Sequence, residues 1–145
     1  MNQLTERQSE LAAHDEVWSL RPVDLVPYAL DHLPQSLKYD GKSKRFYIKD
    51  SDTGEWVMIN QQTIAYKVAE GLSEDILAIM KHKYQDKDTN KDTERRLNKS
   101  RWYKVYKSLD RTMGIHTRIV SWIKVCPDVY TSDFKYEYLR IFEGV

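Results

Sequence analysis

The sequence predicts an α+β fold: a small β-meander followed by a helical bundle whose C-terminal part is helix-turn-helix or winged-helix-like. Three observations lead to this prediction. Between residues 37 and 59, short aromatic and β-branched runs alternate with turn residues. From residue 61 onward, the apolar residues recur at helical spacing. Near the C-terminus, a glycine separates two helical patterns that precede an alternating aromatic tail.

A chain of 145 residues is long enough for one domain with a hydrophobic core. We expect residues 1–36 to be an acidic N-terminal helical segment, because three prolines limit regular structure there to short helices. Residues 37–145 are predicted to form the α+β domain. The single cysteine, Cys126, excludes an internal disulfide and follows Ile119, Trp122 and Ile123 on a helical face, which favours a buried structural thiol.

The first part of this domain is predicted to be a three-stranded meander over residues 37–59. Its strands are Leu37–Tyr39, Arg45–Lys49 and Glu55–Ile59. The intervening segments, Asp40-Gly41 and Ser51–Gly54, are typical turn sequences. Alternation within the strands leaves one face apolar, so we expect that face to pack on the helices.

Helices are predicted over residues 61–84, 93–113 and 115–125. Within the first range, Gly71 interrupts the pattern, and Ser73 resembles the N-cap of a second helical piece with Leu77 among its apolar anchors. The polar segment 85–92 is predicted to be an exposed loop that leads into the second range.

The last two helices are separated by Gly114, and Pro127 closes the second of them. A strand-like tail is predicted over residues 128–142, where aromatic residues alternate. Two helices and a short β segment in this order suit a helix-turn-helix with a β wing. The tryptophans assigned to the core are Trp56, Trp102 and Trp122.

Positive charge is concentrated in the last third of the chain. Residues 91–124 contain ten basic and three acidic residues, a local charge of +7 in a chain whose net charge is +1. Residues 1–36 contain two basic and six acidic residues, a local charge of −4. Such segregation favours a polyanionic partner, although an ordinary solvated helix face has the same composition.

The predicted helix 93–113 separates basic from apolar residues. Its apolar arc consists of Trp102, Val105, Tyr106, Leu109 and Met113, and the opposite arc is basic. Cations there would contact phosphates, and Tyr103, with Tyr47 and Tyr130 as further candidates, would stack on unpaired bases. The side chains predicted to bind nucleic acid are Arg96, Lys99, Arg101, Lys104, Lys107, Arg111, Arg118 and Tyr103.

The order of these elements resembles a known family. The hairpin sequence YDGKSKRFYIKDSDTGEWVMI, the helix after Gly114 and the ending YLRIFEGV, residues 138–145, carry the likeness. Together they resemble the D5_N region that precedes the superfamily 3 ATPase domain in primase-helicases of phages, plasmids and large DNA viruses. The resemblance covers residues 37–145.

The resemblance implies a nucleic-acid-binding or linker domain of a phage or mobile-element replication primase-helicase. DNA, single-stranded or forked in preference, would be one partner, and a superfamily 3 ATPase domain or another replication protein a second. The chain has no GxxxxGK[ST] motif, so we expect no ATPase activity of its own.

No enzyme, metal site or cofactor is predicted. The four histidines are dispersed without metal-ligand spacing, and no serine lies in a nucleophile motif. A catalytic site assembled in the fold from residues that are distant in sequence stays an open alternative. No apolar run is long enough to cross a membrane, so we expect a cytoplasmic protein without a membrane partner.

A second function class fits the same charge pattern. A small phage-type protein-interaction or inhibitor module would use the acidic N-terminal stretch or the basic helix against a charged protein surface. Binding to DNA, and its response to removal of charge, separates the two alternatives.

Overall fold

The computed structural model describes residues 4–13, 20–84, 93–109 and 114–132, with the backbone alone at Tyr84 and at residues 93–100. It confirms the α+β class, with a small mixed sheet and several helices. The helices are α1 (Glu6–Ala12), a 3₁₀ helix (Pro22–Leu25), α2 (Val26–Leu30), α3 (Gln61–Tyr84), α4 (Thr93–Ser108) and α5 (Ile115–Ile123). The strands are β1 (Lys38–Asp40), β2 (Arg45–Lys49), β3 (Trp56–Ile59) and β4 (Tyr130–Thr131).

The predicted meander is confirmed. Strands β1, β2 and β3 pair in antiparallel fashion, and β4 adds to β1 in parallel, so the sheet order is β3-β2-β1-β4. The buried carboxylate of Asp40 closes the first turn by accepting hydrogen bonds from the Lys42 amide at 3.1 Å and the Ser43 hydroxyl at 2.7 Å. In the second turn, Gly54 adopts a φ of 73°, a conformation that glycine tolerates well.

Helix α3 runs unbroken for 24 residues, so the predicted break between Gly71 and Ser73 is wrong. Five of its apolar side chains form one fully buried stripe. They are Ile64, Val68, Leu72, Ile76 and Ile79. The stripe continues across Gly71, and its burial outweighs the weak helix propensity of glycine. Leu77, predicted to be an anchor, lies off this stripe and is exposed.

Helices α4 and α5 both pack on α3. The described part of the predicted apolar arc is confirmed, because Trp102 and Leu109 are buried and Val105 and Tyr106 pack partly buried against the core. The helix was expected to extend to Met113. It ends at Ser108, and residues 110–113 lie outside the described residues.

Two tryptophans differ from the core assignment. Trp102 is 1% exposed, as predicted, and Trp56 is only partly buried. Trp122 is 47% exposed, so its assignment to the core is wrong. The buried face of α5 is made by Ile119, Val120 and Ile123, and Trp122 lies on the opposite face because its position is out of phase with theirs.

The N-terminal segment contributes to the same core. Helix α1 begins with a capping box in which Thr5 and Gln8 exchange side chain to backbone hydrogen bonds at 3.1 Å. Leu11, Leu25 and Ala29 are buried in one cluster with the α3 stripe. The C-terminal tail predicted over residues 128–142 includes β4, and residues 133–145 lie outside the described residues.

A polar network joins three elements beside this core. The buried Asp75 on α3 accepts a hydrogen bond from Gln8 Nε2 on α1 at 2.9 Å, and its other oxygen lies 2.7 Å from His32 Nε2 after α2. The His32 ring packs directly on Gly71, where a Cβ would lie 2.2 Å from the ring. Gly71 therefore makes room for the histidine that links α2 to α3.

Within the described residues, no helix is both long and apolar enough to cross a membrane.

Replacement of Gly71 by alanine tests this packing. In an exposed helix the change stabilises a protein by about 0.5–1 kcal/mol. Here we expect a loss of roughly 1–3 kcal/mol, as is typical of overpacking, because the methyl group collides with the His32 ring. Urea denaturation measures the free energy of unfolding.

The matched control repeats Gly71→Ala in a His32→Ala background. Without the His32 ring, replacement of Gly71 by alanine should stabilise the protein, as it does in an exposed helix. If Gly71→Ala destabilises both backgrounds equally, the His32 contact is not the reason for glycine at this position.

Candidate nucleic-acid interface

The described part of α4 presents a basic, aromatic outer face. Tyr103 is 48% exposed, Lys104 and Lys107 are exposed, and Arg101 is partly buried. The apolar residues on the other side hold the helix against α3, so Tyr103, Lys104 and Lys107 are directed away from the core and Arg101 lies at the edge of the exposed side. We call Arg101, Tyr103, Lys104 and Lys107 the α4 basic face.

Two residues of this face are in contact. Lys107 Nζ lies 5.6 Å from the centroid of the Tyr103 ring, a cation–π distance. The Tyr103 ring also lies 6.2 Å from the Tyr106 ring. The contacts place a positive charge beside a half-exposed aromatic ring, a combination that single-strand-binding surfaces use.

No acidic residue nearby in the sequence balances the positive charge of this face. Residues 95–109 contain six basic and no acidic residues. No ion pair of Lys104 or Lys107 is found within the described residues. On the N-terminal elements, by contrast, Arg7 pairs with Asp31 at 2.9 Å and Arg21 with Asp24 at 3.3 Å.

The other predicted binding residues are distributed differently. Arg118 lies exposed on α5, on a different helix from the α4 basic face. The side chains of Arg96 and Lys99, and all of Arg111, lie outside the described residues. Tyr47 is buried in the sheet at 4% exposure, so it cannot stack on a base as predicted, whereas Tyr130 is exposed.

Sequence reasoning missed a second basic region on the β1–β2 hairpin. Residues 38–49 contain five basic residues and one acidic residue, and that residue, Asp40, is buried in its turn. Lys44 and Arg45 line a cleft of about 250 Å³ with Asn60 and Gln61 at the start of α3. A charge count over this short window would have identified the region.

Among the described residues, the His32–Asp75 pair most resembles part of a catalytic site. It adjoins a cavity of about 290 Å³ that is lined by His32, Lys67, Glu70, Gly71 and Glu74. The lining contains no serine, threonine or cysteine nucleophile, and Asp75 is held on its other side by Gln8. No group of three potential metal ligands is found within the described residues. The pair serves here to join α1, α2 and α3.

Helix α5 contains a buried histidine. Gly114 precedes the helix, and its carbonyl accepts hydrogen bonds from the Thr117 amide and hydroxyl. His116 is the second residue of α5, and its buried Nδ1 has no hydrogen-bond partner within the described residues. Burial lowers the pKa of His116, because a charged imidazole would lose its hydration there. At neutral pH the His116 imidazole is therefore uncharged and adds no charge to the surface.

Comparison with protein-family models, curated protein sequences and solved structures found no match to this chain.

Burial of His116 predicts a pH dependence of stability. Because its folded-state pKa is lowered from 6.5, the unfolded chain binds the proton more readily. The free energy of unfolding should fall as the pH drops through about 6.5. In His116→Leu, this pH-dependent part of the free energy of unfolding should be absent. Urea denaturation between about pH 7.5 and about pH 5.5 measures it.

Above about pH 7.5 the two proteins should show parallel profiles, since the imidazole is neutral in both folded and unfolded wild type. An equal pH dependence of wild type and His116→Leu below pH 6.5 would contradict the assignment.

Proposed function

We propose that this chain is a nucleic-acid-binding domain that contacts DNA, single-stranded or forked in preference, through the α4 basic face. The observation that carries the proposal is the pairing of Tyr103 with Lys107 on an exposed helix whose cations have no acidic neighbours between residues 95 and 109. Lysines and arginines bind phosphates regardless of sequence, and an adjacent tyrosine adds base stacking.

The resemblance of residues 37–145 to the D5_N region supports a more specific setting. In this proposal the chain belongs to a cytoplasmic phage or mobile-element replication primase-helicase, next to a superfamily 3 ATPase domain or another replication protein. Helices α4 and α5, which both rest on α3, act as its helix-turn-helix, winged-helix-like part. The domain itself binds DNA and catalyses no reaction.

The alternative function is a protein-interaction or inhibitor module. Its acidic surface would come from the N-terminal segment, but Glu10, Asp24 and Asp31 are already paired with Arg7 or Arg21. The α4 basic face fits an acidic protein as well as DNA. Direct measurement of DNA binding therefore decides between the two classes.

The deciding experiment is fluorescence anisotropy of labelled single-stranded, duplex and forked DNA at several salt concentrations. We expect salt-sensitive binding with a preference for single strands or forks. Absence of binding at low salt by a folded protein would reject the proposal in favour of the protein-interaction module.

Removal of charge from the α4 basic face tests the location. Lys104→Gln/Lys107→Gln should weaken binding to all DNA sequences. If each lysine contacts one phosphate of a single strand, the slope of log affinity against log salt should fall by about 0.7 per lysine. The same anisotropy titrations measure both quantities.

Lys67→Gln/Lys81→Gln is the matched control, because it removes the same charge from exposed positions on α3. It should leave both affinity and slope close to those of wild type. Equal effects of the two double variants would show that binding depends on net charge rather than on the α4 basic face.

A further inference from the structure

The outer face of α5 exposes a tryptophan that the core does not use. Arg118, Ser121, Trp122 and Val125 follow one another at helical spacing and are all exposed. Trp122 is 47% exposed and Val125 is 62% exposed. Hydrogen bonds from the Val125 amide to the Trp122 carbonyl and from the Cys126 amide to the Ile123 carbonyl continue the turn past the helix end. We call these four residues the Trp122 face.

The rigid support of this face comes from the other side of α5. His116, Ile119, Val120 and Ile123 are buried, and the helix packs on α3 and on the 3₁₀ helix. The Trp122 side chain is thus presented on a helix whose position is fixed by the core. Large aromatic side chains usually bury most of their surface, so the exposed indole on this fixed helix is available to a partner.

The charge around Trp122 selects the kind of partner. Residues 114–127 contain Arg118 and Lys124 and no acidic residue, and the exposed Asp128 follows them. Arg118 lies one turn before Trp122, which places a cation next to the indole on the helix surface. Lys124 Nζ lies 5.4 Å from the Tyr39 ring, where the sheet meets the end of α5. The surface therefore combines an aromatic platform with positive charge.

Building on the function proposed above, we propose that the Trp122 face binds unpaired nucleobases of a single-stranded nucleic acid. Trp122 stacks on one base, and Arg118 contacts an adjacent phosphate. Charge complementarity favours a polyanion, and the indole favours an exposed base because bases in a duplex are already stacked on their neighbours. The Trp122 face adds a second stacking surface to that of Tyr103 and so strengthens the preference for single strands over duplex.

The test compares Trp122→Ala and Trp122→Phe with wild type, using an oligothymidylate and a hairpin duplex of equal charge. Trp122→Ala should weaken oligothymidylate binding roughly 5- to 150-fold, the effect of losing one stacked base. Its salt slope and its duplex affinity should not change, because no phosphate contact is lost. Trp122→Phe should keep most of the affinity, since it keeps an aromatic ring.

A fluorescence measurement keeps the proposal falsifiable if Trp122→Ala disturbs the fold. Oligothymidylate should quench part of the tryptophan fluorescence of wild type, and that part should be absent in the folded Trp122→Phe protein. Tyr66→Ala is the matched control, because Tyr66 is an exposed aromatic residue on α3, 69% exposed. It should bind oligothymidylate as wild type does.

The possible outcomes separate the two proposals. If wild type binds none of the DNA forms, the proposed function itself is wrong. If wild type binds oligothymidylate and Trp122→Ala binds it equally well, only the role of the Trp122 face is wrong. Equal losses for oligothymidylate and duplex would overturn base stacking. Loss of self-association in Trp122→Ala at unchanged DNA affinity would assign the face to a second copy of the chain.

Discussion

The apolar stripe on α3 is the constraint on which the rest of the described structure depends. Its five aliphatic side chains are fully buried, and each such burial is worth about 1.5–3 kcal/mol before entropy is counted. Helices α1, α2, α4 and α5 all pack on α3. The stripe thus determines which face of each helix turns inward. The polar link from Gln8 through Asp75 to His32 adds a directional contact that apolar packing does not supply.

This arrangement decides which side chains are available for binding. Trp102 and Leu109 hold α4 to the core, so Tyr103, Lys104 and Lys107 are directed to the opposite side. The same rule applies to α5, where burial of its isoleucines leaves Arg118 and Trp122 exposed. Each helix buries one face against the shared core, so helix periodicity rather than a preformed pocket determines which side chains are exposed.

The sequence predicted those features that depend on local pattern. Turn residues at Asp40-Gly41 and Ser51–Gly54 predicted the meander, and helical spacing predicted the buried Trp102. Features that depend on distant contacts were missed. The reason for glycine at position 71 is the His32 ring packed against it, which is nearly forty positions earlier in the chain.

Trp122 shows how a helical pattern can place a residue on the wrong face. The spacing of Ile119, Trp122 and Ile123 predicted one core-facing surface, yet the buried face of α5 is made by His116, Ile119, Val120 and Ile123, and Trp122 lies outside it. In the two proposals, α4 supplies charge together with the stacking ring of Tyr103, and α5 adds Trp122, a second aromatic surface for unpaired bases. Since both helices rest on α3, the geometry between charge and stacking is set by the core. A preference for single strands would then depend on the two stacking side chains, Tyr103 and Trp122, and on the core that fixes their positions.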